Sequence, residues 1–234
     1  MADDRTDKPQ PQSRQFIKYT LFKAQPEWRR RPAEERRQGR TEFAVTVESC
    51  ASTVSTYSYN TIGLKAQGDL LLWQVSTSLD LLQESIARLL QTGLGHYLEI
   101  TGSLLGLVRP SHYVKRQTAQ EQALEQPDRQ RYLIVYPFTK TVDWYLMSQE
   151  ARQGMMNEHI RVGHQFPSVR QVLAYSFGID DQEFVVTYET DRLEDFQDLV
   201  MALRDTEARR YTLRDTPIWV GIHRPLTEAL ELLG

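Results

Sequence analysis

Cysteine is nearly missing from this chain, with Cys50 the only one in 234 residues. One thiol excludes an internal disulfide and any zinc site built on several cysteines, and it suits a reducing compartment. No apolar run approaches the roughly 20 residues that span a bilayer. Residues Met1–Gln15 hold Asp, Lys, Pro, Gln and Arg with almost no apolar side chain. They lack the apolar core of a secretion signal and read as a disordered tail, which places the chain in the cytoplasm. An excess of one charge is also absent: 28 Lys and Arg face 31 Asp and Glu. That balance gives no reason to expect nucleic acid as a partner, since such binders carry a clustered basic excess. The densest basic run, between Trp28 and Arg37, is interleaved with Glu34 and Glu35 and reads as a solvated helix start. A glycine-rich phosphate loop, a nucleophile elbow and the metalloprotease helix motif are missing too, so nucleotide-enzyme and hydrolase readings lose support.

What is present is an ordinary globular composition, 40% hydrophobic and 25% charged, and a faint internal duplication. An apolar segment at 16–22 leads to Trp28, as one at 132–138 leads to Trp144. A strand ending at Gly63 corresponds to one ending at Gly178, and the apolar runs at 69–73 and 182–186 follow them. Leu79, Leu82, Ile86 and Leu89 then repeat at helical spacing, as do Leu193, Phe196, Val200 and Leu203. Short strands at 104–109 and 218–224 close the halves. Each half reads β-α-β-β-α-β, a ferredoxin-like unit. The expected fold class is α+β: two halves, 16–114 and 132–234, whose antiparallel sheets pack face to face into a dimeric α+β barrel. Residues 115–131, rich in Gln, Glu and Arg, read as the connection. Trp28, Trp73 and Trp219 are most simply core, and Cys50 structural.

Chemistry concentrates in the second half. A helix over 148–164 has Ser148 as N-cap and Glu150 in its first turn. Its apolar stripe would be Ala151, Met155, His159, Val162 and Phe166. His159 there is either a satisfied core histidine or an axial ligand for a porphyrin iron. His164 lies about 140° round the helix, too far to share a metal with it. Alternation over 169–175 puts Val169, Gln171, Leu173 and Tyr175 on one face and Arg170 on the other; a register shift of one residue would exchange them. An inward Gln171 needs a partner, whether backbone, water or ligand. Tyr136 shares a strand face with Tyr132, Ile134 and Phe138, and Lys140 follows four residues on. Phenol and ammonium either border one pocket or sit at a strand end and on the surface.

Three stretches carry a resemblance: Tyr136-Pro-Phe-Thr-Lys140 through Leu146, Arg152 through Met156-Asn-Glu-His159 to Gly163, and Gly178-Ile-Asp-Asp181. With Asn60–Ala66 and Asp69–Trp73 in the first half, they resemble the chlorite dismutase family, which includes the coproheme decarboxylases. The resemblance implies two ferredoxin-like halves, porphyrin bound only by the C-terminal one, and homo-oligomers, often pentamers. By it, His159 matches the proximal iron ligand, Tyr136 the redox-active tyrosine and Lys140 the lysine at the reacting propionate. Gln171 matches the distal position, which is arginine in true chlorite dismutases. Arg116 and Thr216 fall near propionate-binding positions. The activity it implies is peroxide-dependent oxidative decarboxylation of iron-coproporphyrin III to heme b, the porphyrin being substrate and redox centre at once. A heme b-dependent chlorite dismutase or peroxidase, and a non-enzymatic heme carrier or sensor, are the alternatives.

Overall fold

The computed structural model describes residues 14–109, 124, 126 and 128–234. The first half runs β1 (Phe16–Ala24), α1 (Pro26–Arg30), α2 (Ala33–Cys50), β2 (Ser55–Asn60), β3 (Leu70–Ser76), α3 (Leu79–Leu90) and β4 (Leu98–Val108). The second repeats that plan as β5 (Tyr132–Lys140), α4 (Val142–Leu146), α5 (Gln149–Gly163), β6 (Arg170–Tyr175), β7 (Phe184–Thr190) and α6 (Leu193–Arg204). A short strand β8 (Thr212–Arg214), the closing strand β9 (Trp219–His223) and a helix α7 (Leu226–Glu231) complete it. The duplication extends to its turns: Gly63 and Gly178 take φ of 75° and 71°, the left-handed region that glycine enters without a Cβ penalty. Among the described residues, no helix is long and apolar enough to cross a membrane.

The strands pair in the order β4-β1-β3-β2 in one half and β6-β7-β5-β9 in the other, all antiparallel. Two seams join the halves, Leu107 and Val108 against Tyr175 and Ala174, and Tyr59 and Asn60 against His223 and Ile222. The hydrogen-bonded ladder therefore returns on itself as a ring of eight strands, which leaves no open edge in it. Alternation sends every second side chain into the ring, where Tyr19, Leu21, Trp73, Val135, Val172 and Trp219 pack together. Trp28, Trp73 and Trp219 are all buried, as their composition suggested. Cys50 is buried beside Val54 and Leu82.

The ring also encloses charge. Residues just before β5 do not stay on the surface: Arg129 turns inward, with its side chain 2% exposed, and meets Glu189 of β7 at 3.2 Å, 1% exposed. Its guanidinium stands 4.6 Å from the Tyr57 ring centre and 5.1 Å from that of Trp73, both in the first half. Tyr59 donates to Glu189 at 3.0 Å, and Tyr19 bonds Thr187 at 2.6 Å. First half, second half and connection thus meet in one buried polar cluster.

Outside the ring the halves differ. In the first, Trp28, Phe43 and Leu89 fill the space between sheet and helices, and Ala229, Leu230 and Leu233 from α7 and its end complete the filling. In the second, α5 carries no fully buried residue and stands off the sheet.

Removing one partner of a buried ion pair strands the other charge. Arg129→Met should cost about 3–5 kcal/mol in urea unfolding, and adding Glu189→Gln should recover much of it. His223, beside the Tyr59 ring, is held below the usual histidine range by burial and by Arg129. The folded state refuses a proton that the unfolded chain accepts below pH 6.5 or so. Stability should therefore fall as pH drops from 7 to 5, with a shallower slope in His223→Gln.

Candidate active site

A cavity of about 650 Å³ opens between the second-half sheet and helices α5 and α6. Strand register builds its floor in three rows: Ile134, Tyr188 and Gln171; then Tyr136, Val186 and Leu173; then Phe138, Phe184 and Tyr175. Directly paired residues share a face, so the members of these rows other than the fully buried Ile134 line one side of the cavity. Arg170 points the other way, its guanidinium 3.6 Å from the Asp128 carboxylate and bonded to the Asp128 carbonyl. Gln171 faces the cavity, the arrangement that alternation called for.

The opposite wall is α5. Ser148 caps it, accepting from the Ala151 amide at 3.2 Å. Its inner stripe differs from the one expected: Arg152, Met156, His159, Ile160 and Gly163 line the cavity, while Ala151 is exposed. The rotation has a physical cause. This helix faces a void instead of a packed core, so apolar periodicity is a poor guide to its inner side. His164 reaches the rim and is exposed.

Burial above all, and then the nearby Lys140 ammonium, depress His159 to a pKa of about 4, against a smaller opposing effect of Glu158. Its imidazole is neutral at physiological pH, with a lone pair for a metal. Lys140 lies 4.1 Å from the Trp144 ring centre and donates to the Ala208 carbonyl at 3.2 Å. Burial and the Arg209 charge lower it to about 8, with Glu183 opposing. Tyr136 is partly buried, and its hydroxyl shares a hydrogen bond with Tyr188; desolvation and this neighbour hold its pKa well above the ordinary phenol value. Asp215 clamps Arg204 at 2.9 Å and Arg209 at 3.2 Å.

The structure thus brings His159, Tyr136, Lys140 and Gln171 to one cavity. Thr216 is exposed, and the wall beside it is formed by Thr212 and Asp215. Arg116 lies outside the described residues. Tyr188, Arg152, Arg204, Arg209 and Asp215 escaped sequence reasoning; of these only Tyr188 carried a usable signal, the alternation of β7.

An iron porphyrin fits these residues. One neutral imidazole is the protein ligand that a metal already held by four macrocycle nitrogens needs, and aromatic and apolar rows suit the macrocycle's faces. Among the described lining residues, Arg14, Arg109, Lys140, Arg152, Arg204 and Arg209 face a single carboxylate, Asp215, a surplus that suits carboxylates on the macrocycle's edge.

Comparison with known proteins agrees. The profile described as chlorite dismutase matches residues 36–224. The chain belongs to the chlorite dismutase family. This is a family of heme enzymes. Over 164 residues, 70% of either sequence, the chain is 31% identical to the coproheme decarboxylase of Mycolicibacterium smegmatis. It is 24% identical to the chlorite dismutase of Ideonella dechloratans over 94% of this chain and 80% of that one. Among solved structures, the chlorite dismutase of Candidatus Nitrospira defluvii in complex with imidazole is similar, with a TM-score of 0.85 and 29% identity over 94% of each chain.

Titration with ferric heme should give a histidine-ligated spectrum that His159→Ala abolishes and His164→Ala retains. The reverse result would move the ligand to the helix end.

Proposed function

We propose that this chain converts iron-coproporphyrin III to heme b by oxidative decarboxylation with hydrogen peroxide. One observation carries the choice of chemistry: the cavity face of β6 presents neutral Gln171, while Arg170 is turned into the ring and engaged with Asp128. Handling an anionic oxidant such as chlorite is helped by a fixed cation at the reacting oxygen, which an amide does not supply. The likeness to a coproheme decarboxylase supports the same reading.

Bound iron-coproporphyrin supplies oxidising equivalents drawn from peroxide, so substrate and redox centre are one molecule. His159 holds it from the α5 side. Tyr136, with a phenol pKa raised by burial, resists simple deprotonation and gives up its proton together with an electron. The resulting neutral tyrosyl takes a hydrogen atom from a propionate methylene. One further electron passes to the remaining oxidising equivalent drawn from peroxide, loss of carbon dioxide leaves a vinyl group, and Tyr136 regains its hydroxyl. Lys140 holds the reacting carboxylate; with a pKa of about 8 it is mostly charged at neutral pH. Ala208 and Trp144 fix its position. The resemblance also implies a pentamer, which light scattering on the purified protein tests.

Adding peroxide to the protein loaded with iron-coproporphyrin III should release heme b through two losses of carbon dioxide, followed by mass. Tyr136→Phe should slow this by at least about a hundredfold while still binding porphyrin. Oxygen release from chlorite with coproheme unchanged would overturn the proposal, and porphyrin binding without either reaction would leave a carrier.

A further inference from the structure

Arg152 breaks a local rule. It is the fourth residue of α5, close to the positive end of the helix dipole, where a cation is disfavoured. Its Nε is buried, and among the described residues no hydrogen-bond acceptor reaches it. A buried guanidinium nitrogen left in this state costs free energy. Two unfavourable features on one side chain that lines a cavity mark a site whose partner is a ligand.

The position also defines the partner. Arg152 and His159 are seven residues apart and share the cavity face of α5 with Met156, so at 1.5 Å per residue the guanidinium's helix position lies about 10 Å from the histidine's. That spacing is comparable to the reach from the centre of a porphyrin to the carboxylates on its edge. Lys140, by contrast, is close enough to His159 to depress it electrostatically, and Arg204 and Arg209 are already engaged with Asp215. Arg152 is the cation on the His159 helix face itself.

We propose that Arg152 binds a peripheral carboxylate of the macrocycle, a different one from that held by Lys140. The inference rests on the reading of this cavity as an iron-coproporphyrin site. A macrocycle held only through its iron is free to turn about the iron–histidine axis. Together with Lys140, a fixed point on the ligand helix removes that freedom and decides which propionate meets Tyr136. Arg152 is in this sense a determinant of orientation.

The test pairs two ligands, iron-coproporphyrin III and its tetramethyl ester, with wild type, Arg152→Gln and Arg152→Lys, following affinity by absorbance. Arg152→Gln should weaken the free acid about tenfold or more, the range of a charge-assisted hydrogen bond, and leave the ester unchanged. Arg152→Lys should recover part of the loss, and the His159-dependent spectrum should persist in all. Equal loss for acid and ester would make Arg152 a structural residue, and no loss for either would remove its role; both overturn the inference while the cavity reading stands. Wild type that gives no His159-dependent spectrum with the acid would overturn the cavity reading and this inference with it. Circular dichroism of each variant separates a binding loss from a folding loss.

Discussion

The buried pair of Arg129 and Glu189 sets the terms for everything built around it. Glu189 can lie inside the ring only if β7 keeps one alternation, and that alternation sends its neighbour Tyr188 outward. The pairing of β6 with β7 repeats the constraint, since Arg170 opposite Glu189 faces inward and Gln171 opposite Tyr188 faces the cavity. A slip of one residue would expose every apolar side chain of the ring and bury an arginine where an amide now stands. The interior charge pair therefore fixes the chemistry of a surface it does not touch. Tyr57, Trp73 and Tyr59 supply its cradle from the first half, so neither half orders this cluster alone.

The two halves share a plan and have diverged in what covers their outer faces. Trp28 and Phe43 occupy the first half's interlayer space, and α7 adds Ala229 and Leu230. The corresponding helix of the second half offers Arg152, His159 and Gly163 to its interior, and the space remains open. Close packing is the default for protein interiors, so a void of this size implies that something else completes it. The family assignment and the neutral imidazole at its wall agree on what that is.

Much of this was legible in the residues. Two helical leucine patterns and a strand-helix order that occurs twice led to the ferredoxin-like halves, and the Ser148 cap and the inward Gln171 followed from local rules. The failures have a common origin. The apolar stripe of α5 misled because its inner face meets a cavity, and helical periodicity reports only faces that meet packed side chains. Arg129 sits in a polar stretch that reads as surface, because nothing in one dimension reveals that a ring closes over it. Asp215 lines the wall and its neighbour Thr216 is exposed, a difference that no periodicity in this irregular stretch marks. Arg152 acquires meaning only from what lies opposite it in space.

The placement of α7 bears on how the molecule is made. Its apolar residues complete the outer core of the first half, and Asn60 reaches its Ala229 carbonyl. A ribosome delivers the first half long before this helix exists. Until then that half presents an unfilled apolar groove, the kind of exposed surface that chaperones bind and that favours aggregation. The half without the cavity is thus the last to be sealed.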